Sequence, residues 1–506
     1  MTVLEAPVRR RLLLPALVAL LAAATRLAYL LGPAMQFTAD EATTGIMVRR
    51  ILDGHGYVYY AGQDYGGALE QYVEAAVYAV LRLPQNELTL RLPLVALSMI
   101  TCALVFRVAG DVFDDPVRPL VAAALYAVSP WFNVIGTVTS LGFYAVGQTL
   151  SIAVLWCALR AGRGRWWLFG TGLCAGLGLW TAATALYVLI PVFVWLVPML
   201  GRDRRRWATV AAGFGLGALP LLGSLVRHRT LPLPPDPARP TGVLERVGNL
   251  FGPILRQYTG VTYAHGEGGL WLPVQVAVVA GLVVAYLVAL ARRRGLADLV
   301  RGRVERRRPA DLLLAVPPVV LVLWAASDAT WYTGTPRYLV GTFPLLAIGL
   351  AALVPTRVPV PGRVPVVPVV AVAACAALSF GFFPRIAASH TRQDQAVLRQ
   401  VSTVLQAERH TDVYAGYWTA TPLQYVAGDR LAVATAIGVR RFPDAQAAVE
   451  RSPAPVWVGS DHDGTTAVIR AALDRAGVPY RARRFGFLTV FDQVPATADP
   501  DTLDLR

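Results

Sequence analysis

The sequence predicts a polytopic α-helical membrane protein with about eleven transmembrane helices, a long first extracytoplasmic loop and a small C-terminal extracytoplasmic α/β domain. Of its 506 residues, 55% are hydrophobic and only 16% are charged, whereas soluble proteins carry about a quarter charged residues. Several apolar runs reach the roughly 20 residues that a helix needs to cross a bilayer. The arginines cluster in alternate connections between these runs, as is typical of cytoplasmic loops.

The apolar runs define the individual spans. The run at 166–200 is too long for one helix, and we divide it near Thr181–Thr184. The predicted spans are 12–32, 92–109, 118–136, 143–160, 166–182, 184–200, 208–226, 271–291, 310–327, 338–354 and 365–383. A cleavable signal peptide is the alternative for the first run, but the run is long and lacks a clear cleavage site, which favours a retained span.

The charge distribution predicts the orientation. The net charge is +15, and the sequence contains arginine but no lysine. Arginine-rich connections such as "GRDRRR" (201–206) and 291–308 alternate with longer, more acidic connections at 33–91 and 227–270. We therefore expect a plasma-membrane protein with a cytoplasmic N-terminus and an outer C-terminal domain. Membrane lipids are expected partners, and nucleic acid is not, because the arginines lie in short loops between apolar runs.

Composition divides the chain at residue 385. Residues 1–385 form the predicted transmembrane domain, with outer loops at about 33–91 and 227–270. Residues 386–506 alternate helical patterns with short strand patterns, such as "DVYAGY", "LAVATA", "APVWVG" and "RFGFLTVFDQV", which predicts a small α/β layer domain. All four cysteines lie inside apolar runs, so we expect no disulfide, metal or redox role for Cys102, Cys157, Cys174 or Cys375.

The motif "FTADEA" at 37–42 places two adjacent carboxylates, Asp40 and Glu41, where the chain leaves the first span. One interpretation is an N-cap followed by a first-turn acid at the positive end of a helix. The other is a catalytic carboxylate at the membrane face, where partial desolvation suits a general base. The two interpretations are compatible, because a cap can also orient a side chain.

A second acidic cluster, "YYAGQDYGGALEQY" at 59–72, contains Asp64 and Glu70 in the same loop. Its glycines permit tight turns, and tyrosines such as Tyr65 offer flat faces that bind sugars or anchor at an interface. An interfacial turn with aromatic anchors is the alternative to a substrate site. The nearby His55 is either a solvated loop histidine or a weaker sugar-binding candidate.

A third motif, "DATWYTGTPRYLVGTFP" at 328–344, places Arg337 and Tyr338 at the outer end of the tenth predicted span. The arginine either reaches toward lipid headgroups or uses its planar guanidinium to bind the phosphate of a lipid carrier. Tyr144 and His265 are weaker candidates, with an interfacial anchor and a loop histidine as their alternatives.

The order of these motifs resembles the membrane glycosyltransferases of the C-type fold, the superfamily of protein O-mannosyltransferases and aminoarabinose transferases. The resemblance covers about residues 10–385 and is carried by "ADEATTG", "QDYGGALE", "RLPL" and "PRYLVGTFPLLA". It implies an inverting glycosyltransferase that moves a hexosyl or pentosyl group from a polyprenyl-phosphate carrier to an acceptor on the outer side of the membrane.

The resemblance also implies roles for individual residues. Asp40 corresponds to the catalytic base, with Glu41 beside it; Asp64 corresponds to the second acidic position, and Arg337 to the arginine that meets the carrier phosphate. Protein O-mannosyltransferases continue the second acid into His-Pro-Pro, whereas this chain has Tyr65-Gly66-Gly67. A lipid, a glycan and a protein therefore remain open as acceptors. The weaker substrate-binding candidates are Glu70, Tyr65, His55, Tyr144 and His265.

No cofactor is expected to be required, because phosphate is a fair leaving group, although paired carboxylates leave Mg²⁺ or Mn²⁺ as an alternative. Two other functions compete with an enzyme. A transporter or flippase of a lipid-linked sugar should show internal pseudo-symmetry and acids at the membrane midplane, whereas the acids here collect in an outer loop. A non-catalytic membrane scaffold leaves the acidic clusters without a role.

Overall fold

The structure, a computed structural model, describes residues 5–32, 37–229, 241–262, 268–293, 308–355, 370, 372–377, 393–495 and 497–505. The chain forms two compact units. The first comprises Met1–Leu30, Tyr65–Glu70 and Arg91–Arg385, and the second comprises Leu31–Asp64, Gln71–Leu90 and Ile386–Arg506. The second unit thus combines most of the first outer loop with the C-terminal segment, whereas the sequence assigns that loop to the transmembrane domain.

Helices account for the described chain up to the C-terminal segment. In chain order they are α1 (Glu5–Leu31), α2 (Ala39–Leu52), α3 (Leu69–Leu81), α4 (Glu87–Val112), α5 (Val117–Ala127), α6 (Trp131–Gly136), α7 (Tyr144–Arg160), α8 (Arg165–Thr181), α9 (Leu186–Leu200), α10 (Arg204–Gly217), α11 (Leu219–His228), α12 (Val243–Asn249), α13 (Leu255–Tyr258), α14 (Leu272–Arg292), α15 (Pro309–Leu314), α16 (Val316–Ala326) and α17 (Phe343–Ala352).

Among the described residues, five helical stretches are long and apolar enough to cross a membrane: Glu87–Val112, Tyr144–Arg163, Ala183–Leu200, Leu272–Arg292 and Pro309–Ala326. A sixth span results if α10 and α11, which meet at a 70° bend, cross the bilayer together. Shorter apolar helices occupy the predicted first, third and tenth spans. Because 365–383 lies largely outside the described residues, the number of eleven spans stays a prediction.

Paired glycines bring α8 and α10 into close backbone contact. A Cβ atom on Gly172 would lie 2.1 Å from the Val210 carbonyl oxygen, and one on Gly213 would lie 2.2 Å from the Phe169 oxygen. Gly176 and Gly217 meet the opposite helix at similarly short distances. Both helices therefore carry a Gly-x-x-x-Gly face, and the absent side chains allow the two backbones to touch.

The C-terminal segment folds around a five-stranded mixed sheet. Its strands are β1 (Asp412–Gly416), β2 (Ala432–Ile437), β3 (Val456–Ser460), β4 (Arg481–Phe485) and β5 (Leu488–Asp492), in the order β2-β1-β3-β5-β4. β1 lies parallel to both β2 and β3, whereas β5 runs antiparallel to β3 and β4. The helices are α18 (Gln393–Ala407), α19 (Tyr417–Ala427), α20 (Pro443–Glu450) and α21 (Thr465–Arg475).

Alternation along the strands builds a separate core on each face of this sheet. Val413 and Ala415 of β1 pack with Leu423 of α19 on one face, whereas Tyr414 packs with Ile469 of α21 on the other. Because successive side chains of a strand point to opposite faces, both faces are covered by helices. The predicted small α/β domain is therefore observed.

Two details of this segment differ from the sequence prediction. The predicted strand "RFGFLTVFDQV" is a hairpin, since β4 ends at Phe485 and the chain turns through Gly486, which has a φ of 56°. Helix α19 is absent from the prediction. Its sequence, YWTATPLQYVA, contains aromatic and threonine residues and a proline, all weak helix formers, so its burial against the sheet overrides local propensity.

Candidate functional site

The carboxylates of "FTADEA" lie in the first turn of α2, and Thr38 rather than Asp40 is the N-cap. Thr38 Oγ1 accepts a hydrogen bond from the Glu41 amide, and Glu41 Oε2 accepts one from the Thr38 amide. This is a capping box, which satisfies two otherwise unpaired helix amides. Glu41 is fully buried, so its carboxylate fixes the start of the helix, while Asp40 is left for other contacts.

The Asp40 carboxylate receives two hydrogen bonds from the C-terminal segment. Tyr417 donates its hydroxyl to Asp40 Oδ1 at 2.6 Å, and an Arg441 Nη atom donates to the same oxygen at 3.1 Å. Tyr60 of the first outer loop donates to the Asp40 backbone carbonyl at 2.5 Å. The Asp40 side chain keeps 34% of its surface exposed. It is therefore held in place and still accessible.

The topology of the sheet explains why these two residues meet. Tyr417 directly follows β1, and Arg441 follows β2 before α20 begins. Because β1 and β2 are parallel neighbours, their carboxyl ends lie at one edge of the sheet, where α/β folds commonly place functional groups. Arg441 also donates to the Ala61 carbonyl and to Gln63 Oε1, both at 3.2 Å.

Burial keeps the surrounding tyrosines protonated. It raises the pKa of Tyr60 well above its usual range, and it raises the pKa of Tyr417, with the negative charge of Asp40 adding to the effect in both cases. Both phenols are therefore neutral at physiological pH and act as donors to Asp40. Arg441 carries the positive charge of the cluster.

A surface cavity of about 280 Å³ adjoins this cluster within the same unit. Its lining combines aromatic side chains with hydrogen-bonding groups, which is the composition that suits a sugar ring. It includes Tyr57, Tyr59, Tyr60, Gln63, Arg441 and Phe442.

The other predicted residues of the second unit lie in less enclosed surroundings. Asp64 is exposed, and its carboxylate makes no hydrogen bond or ion pair within the described part of the chain. His55 is also exposed, beyond the end of α2, and its Nδ1 lies 3.3 Å from the Arg50 carbonyl oxygen. Asp40 and Glu41 lie in the same helix turn. The structure shows no hydrogen bond or ion pair between Asp40 and either Asp64 or His55.

Glu70 belongs to the first unit and is fully buried. Its Oε2 accepts hydrogen bonds from the Ala145 and Val146 amides at 3.1 and 3.2 Å. These are early amides of α7, whose own N-cap residue makes no side-chain bond, so Glu70 caps that helix from a distant part of the chain. Burial raises the Glu70 pKa to about 7, although the amide hydrogen bonds act to lower it.

The glycines before Glu70 also have a packing role. A Cβ on Gly67 would lie 2.4 Å from the Trp180 carbonyl oxygen, and the Gly67 amide donates to the Thr181 carbonyl at 2.9 Å. Tyr65 is half-buried at the same turn. The close approach predicted for a ligand is thus occupied at Gly67 by a neighbouring helix end.

Arg337 is held among aromatic rings in the first unit. Its guanidinium carbon lies 4.1 Å from the centre of the Tyr332 ring and 5.0 Å from that of Tyr338, and one Nη donates to the Tyr338 hydroxyl at 3.0 Å. Tyr144, the first residue of α7, is close enough to interact with it electrostatically. No carboxylate of the described residues pairs with Arg337, and its Nε is buried without a partner there.

A buried polar network supports the turn that carries Arg337. Gln148 of α7 donates to the Val340 carbonyl and to Asn133 Oδ1, both at 2.7 Å, and it accepts from the Tyr126 hydroxyl at 2.7 Å. Asn133 donates in turn to Ser129. Helices α5, α6 and α7 are thereby tied to the residues that follow Arg337.

Two predictions remain unplaced. His265 lies outside the described residues. Within the described ranges, no group of three or more His, Cys, Asp or Glu side chains has the arrangement of a metal site, and the expectation about cofactors stays a prediction. The sequence analysis missed Tyr417 and Arg441. The available signal was their position, Tyr417 at the end of one predicted strand and Arg441 shortly after another.

Comparisons with known proteins bear on the fold. A sequence profile of the family described as dolichyl-phosphate-mannose-protein mannosyltransferase matches residues 71–223. No match is found among curated proteins. Two crystal structures of ArnT from Cupriavidus metallidurans are similar over almost the whole chain. The structure bound to undecaprenyl phosphate is 14% identical, with a TM-score of 0.58, and the alignment covers 95% of this chain and 97% of that one. The apo structure is 13% identical, with a TM-score of 0.60 and coverage of 96% and 98%.

The archaeal oligosaccharyltransferase AglB from Archaeoglobus fulgidus, in complex with an inhibitory peptide and a dolichol-phosphate, is 12% identical with a TM-score of 0.53. That alignment covers 95% of this chain and 74% of the other. These likenesses confirm the C-type glycosyltransferase fold that the sequence motifs imply. The chain is a multi-pass membrane protein with this fold.

Proposed function

We propose that this protein is an inverting glycosyltransferase that moves a sugar from a polyprenyl-phosphate carrier to an acceptor hydroxyl on the outer side of the membrane. The observation that carries the proposal is the Asp40 carboxylate, which is one-third exposed and held on one oxygen by Tyr417 and Arg441. Support comes from the fold, which is shared with an ArnT that binds undecaprenyl phosphate and an AglB that binds a dolichol-phosphate.

The proposed chemistry uses the Asp40 carboxylate as the general base. The carboxylate takes the proton of the acceptor hydroxyl, and that oxygen forms a new bond to the anomeric carbon of the sugar. The bond between the anomeric carbon and the phosphate oxygen breaks, and the polyprenyl phosphate leaves with the electron pair from the opposite face. The configuration at the anomeric carbon is therefore inverted.

Arg337 is proposed to bind the phosphate of the carrier. Negative charge increases on that phosphate as it leaves, and a guanidinium without a carboxylate partner can stabilise the charge by paired hydrogen bonds. Tyr338 orients the guanidinium through its hydroxyl. Asp64, which is exposed in the first outer loop, is proposed as a second polar group for the substrate, with Tyr65, His55, Tyr144 and His265 as weaker candidates.

The transferred group, the acceptor class and the membrane orientation are proposed from the sequence. The transferred group is a hexosyl or pentosyl unit, and the acceptor is a lipid, glycan or protein hydroxyl. The protein is placed in the plasma membrane with a cytoplasmic N-terminus, because the arginine-rich connections favour that orientation. No cofactor is required in this scheme.

The test is transfer of sugar by the purified protein in detergent or vesicles supplied with a polyprenyl-phosphate sugar and candidate acceptors. Asp40→Asn should lower kcat by about 10²- to 10⁴-fold, because the amide cannot accept the proton. Asp53→Asn, at the exposed other end of the same helix, is the control and should retain activity. Transfer by the Asp40→Asn protein at the wild-type rate would contradict the assignment. Movement of lipid between leaflets without transfer would favour a flippase.

A further inference from the structure

We propose that Arg441 and Tyr417 are positioning residues that hold Oδ1 of Asp40 and leave Oδ2 to take the proton of the acceptor hydroxyl. The C-terminal segment then contributes two residues to the reaction site and is not merely an appended domain. This proposal rests on the proposed function, because it takes Asp40 as the base.

The geometry directs both donors to one oxygen. Tyr417 and Arg441 both bond to Oδ1, and Arg441 also donates to the Tyr417 hydroxyl at 2.7 Å. The three groups form a closed triangle. Within the described chain the carboxylate makes no hydrogen bond through Oδ2, and the side chain is still one-third exposed. One oxygen is thereby fixed, and the other is available to a substrate.

Arg441 is itself firmly placed. Its side chain is only 9% exposed, and its guanidinium carbon lies 5.1 Å from the centre of the Tyr60 ring and 5.3 Å from that of Tyr417. The other Nη bonds to Ala61 and Gln63. A guanidinium held on both sides has little freedom to move when its carboxylate partner changes charge.

Among the described residues, the charged and titratable groups that hydrogen-bond to Asp40 are Arg441, Tyr417 and Tyr60. The two hydrogen bonds on Oδ1 restrict the rotation of the carboxylate, so that Oδ2 is oriented before the acceptor arrives. Removing either donor should therefore loosen the carboxylate.

The kinetic test compares Tyr417→Phe and Arg441→Gln with wild type. We expect kcat to fall by roughly 10- to 100-fold in each variant because the base is misoriented, with the KM for the carrier-linked sugar changed less than about threefold. Arg441→Lys keeps the charge and should recover part of the activity.

Matched controls lie in the same segment. Arg440 is adjacent to Arg441 and pairs with Glu450, so Arg440→Gln changes the same charge without touching Asp40. The Tyr480 hydroxyl donates to Asp474 at a site remote in sequence, so Tyr480→Phe removes an equivalent phenol. Both controls should keep the wild-type rate.

A second readout does not require activity. Carbodiimide with an amine labels accessible carboxyl groups, and mass spectrometry measures the extent of labelling at Asp40 at a fixed pH. In Tyr417→Phe and Arg441→Gln, labelling of Asp40 should increase because its carboxylate has lost a donor, whereas labelling of Asp53 should not change.

The outcomes separate this proposal from the proposed function. A fall in kcat with unchanged Asp40 labelling would overturn the positioning role. Wild-type rates in both variants would also overturn it. If the wild-type protein transfers no sugar but Asp40 labelling increases in the variants, the proposed function fails, and Arg441 and Tyr417 stand as the groups that fix Asp40.

Discussion

At the scale of single residues, Arg26 shows how this chain keeps a full charge inside an apolar helix. The side chain is completely buried, and its guanidinium donates to the carbonyls of Tyr126 and Ala127 and to Ser129 Oγ. Since α5 ends at Ala127, these carbonyls have no partner in the helix and lie at its negative end. Arg26 is therefore a C-terminal cap supplied from another helix.

We expect Arg26→Met to destabilise the protein by about 1–3 kcal/mol, because the buried Tyr126 and Ala127 carbonyls lose their charged donor and keep the Ser129 amide and the Thr25 hydroxyl. Arg26→Lys should cost less, since it keeps the charge but not the planar fork. Thermal unfolding in detergent measures the effect. Arg107→Met, at an exposed position of α4, is the control. Equal stability of the Arg26 and Arg107 variants would contradict the capping role.

Glu70 is expected to make the free energy of unfolding depend on pH, with greater stability at low pH. Its pKa is raised from 4.5 to about 7 by burial, so the folded state binds the proton more tightly than the unfolded state. The stabilisation from the protonated form is complete below about pH 4.5 and is lost as the pH rises through about 7. Relative to Glu70→Gln, wild type should lose on the order of 3 kcal/mol across this range. Unfolding followed at several pH values tests this, and parallel curves for the two proteins would refute it.

Binding of the carrier phosphate by Arg337 can be tested by substitution. Arg337→Gln should raise the KM for the carrier-linked sugar by about 10- to 100-fold, because a charge-assisted bond to phosphate contributes roughly 1.5–3 kcal/mol. Arg337→Lys should fall between this variant and wild type. Arg227→Gln, which changes an exposed arginine, should leave the KM unaltered. A KM unaffected by Arg337→Gln would exclude a role in carrier binding.

At the scale of elements, the contact of α8 with α10 depends on the absence of side chains. We expect Gly213→Ala to destabilise the protein, although alanine is the better helix former, because the added methyl would meet the Phe169 carbonyl oxygen at 2.2 Å. Gly215→Ala is the matched control: it lies in the same helix with no atom within 4 Å of its Cβ position, and it should be neutral or stabilising by up to about 1 kcal/mol. Equal melting temperatures for the two variants would contradict the close contact.

Elements also show where sequence prediction succeeds. The long apolar helices and most of the C-terminal elements follow from patterns of period 3.6 and 2, and the capping box is visible in "TADE" at 38–41. Helix α19 and the β4–β5 hairpin are not visible in the sequence. Local propensity opposes helix α19, and a turn at a single glycine creates the hairpin. The Gly-x-x-x-Gly spacings in α8 and α10 can be read from the sequence and indicate a close helix contact, which composition alone does not reveal.

At the scale of the molecule, the first outer loop and the C-terminal segment share one compact unit. A Cβ on Gly45 of α2 would lie 2.3 Å from the buried Tyr425 ring of α19. Arg49 stacks on that ring with its guanidinium carbon 4.1 Å from the ring centre, and Arg50 pairs with Asp444. The close packing of α2 on α19 therefore joins segments nearly 400 residues apart.

We expect Gly45→Val to separate these helices and to expose both partners. Hydrogen exchange should then increase in peptides from 39–52 and from 417–427 together, because the two segments protect each other. Leu52→Ala, at an exposed position of α2, should leave exchange in 417–427 unchanged. Faster exchange confined to α2 in the Gly45 variant would show that the segments fold independently.

The sequence by itself determined the class of the protein, its long apolar helices, the α/β nature of the C-terminal segment and the motifs that make Asp40 and Arg337 candidates, because these depend on hydrophobic period, charge bias and short local patterns. Only the tertiary structure decided which groups each carboxylate contacts. Glu41 and Glu70 became buried helix caps, whereas Asp40 gained Tyr417 and Arg441 as partners. Those contacts join residues far apart in the chain, and no local pattern encodes which distant donor will meet a given carboxylate.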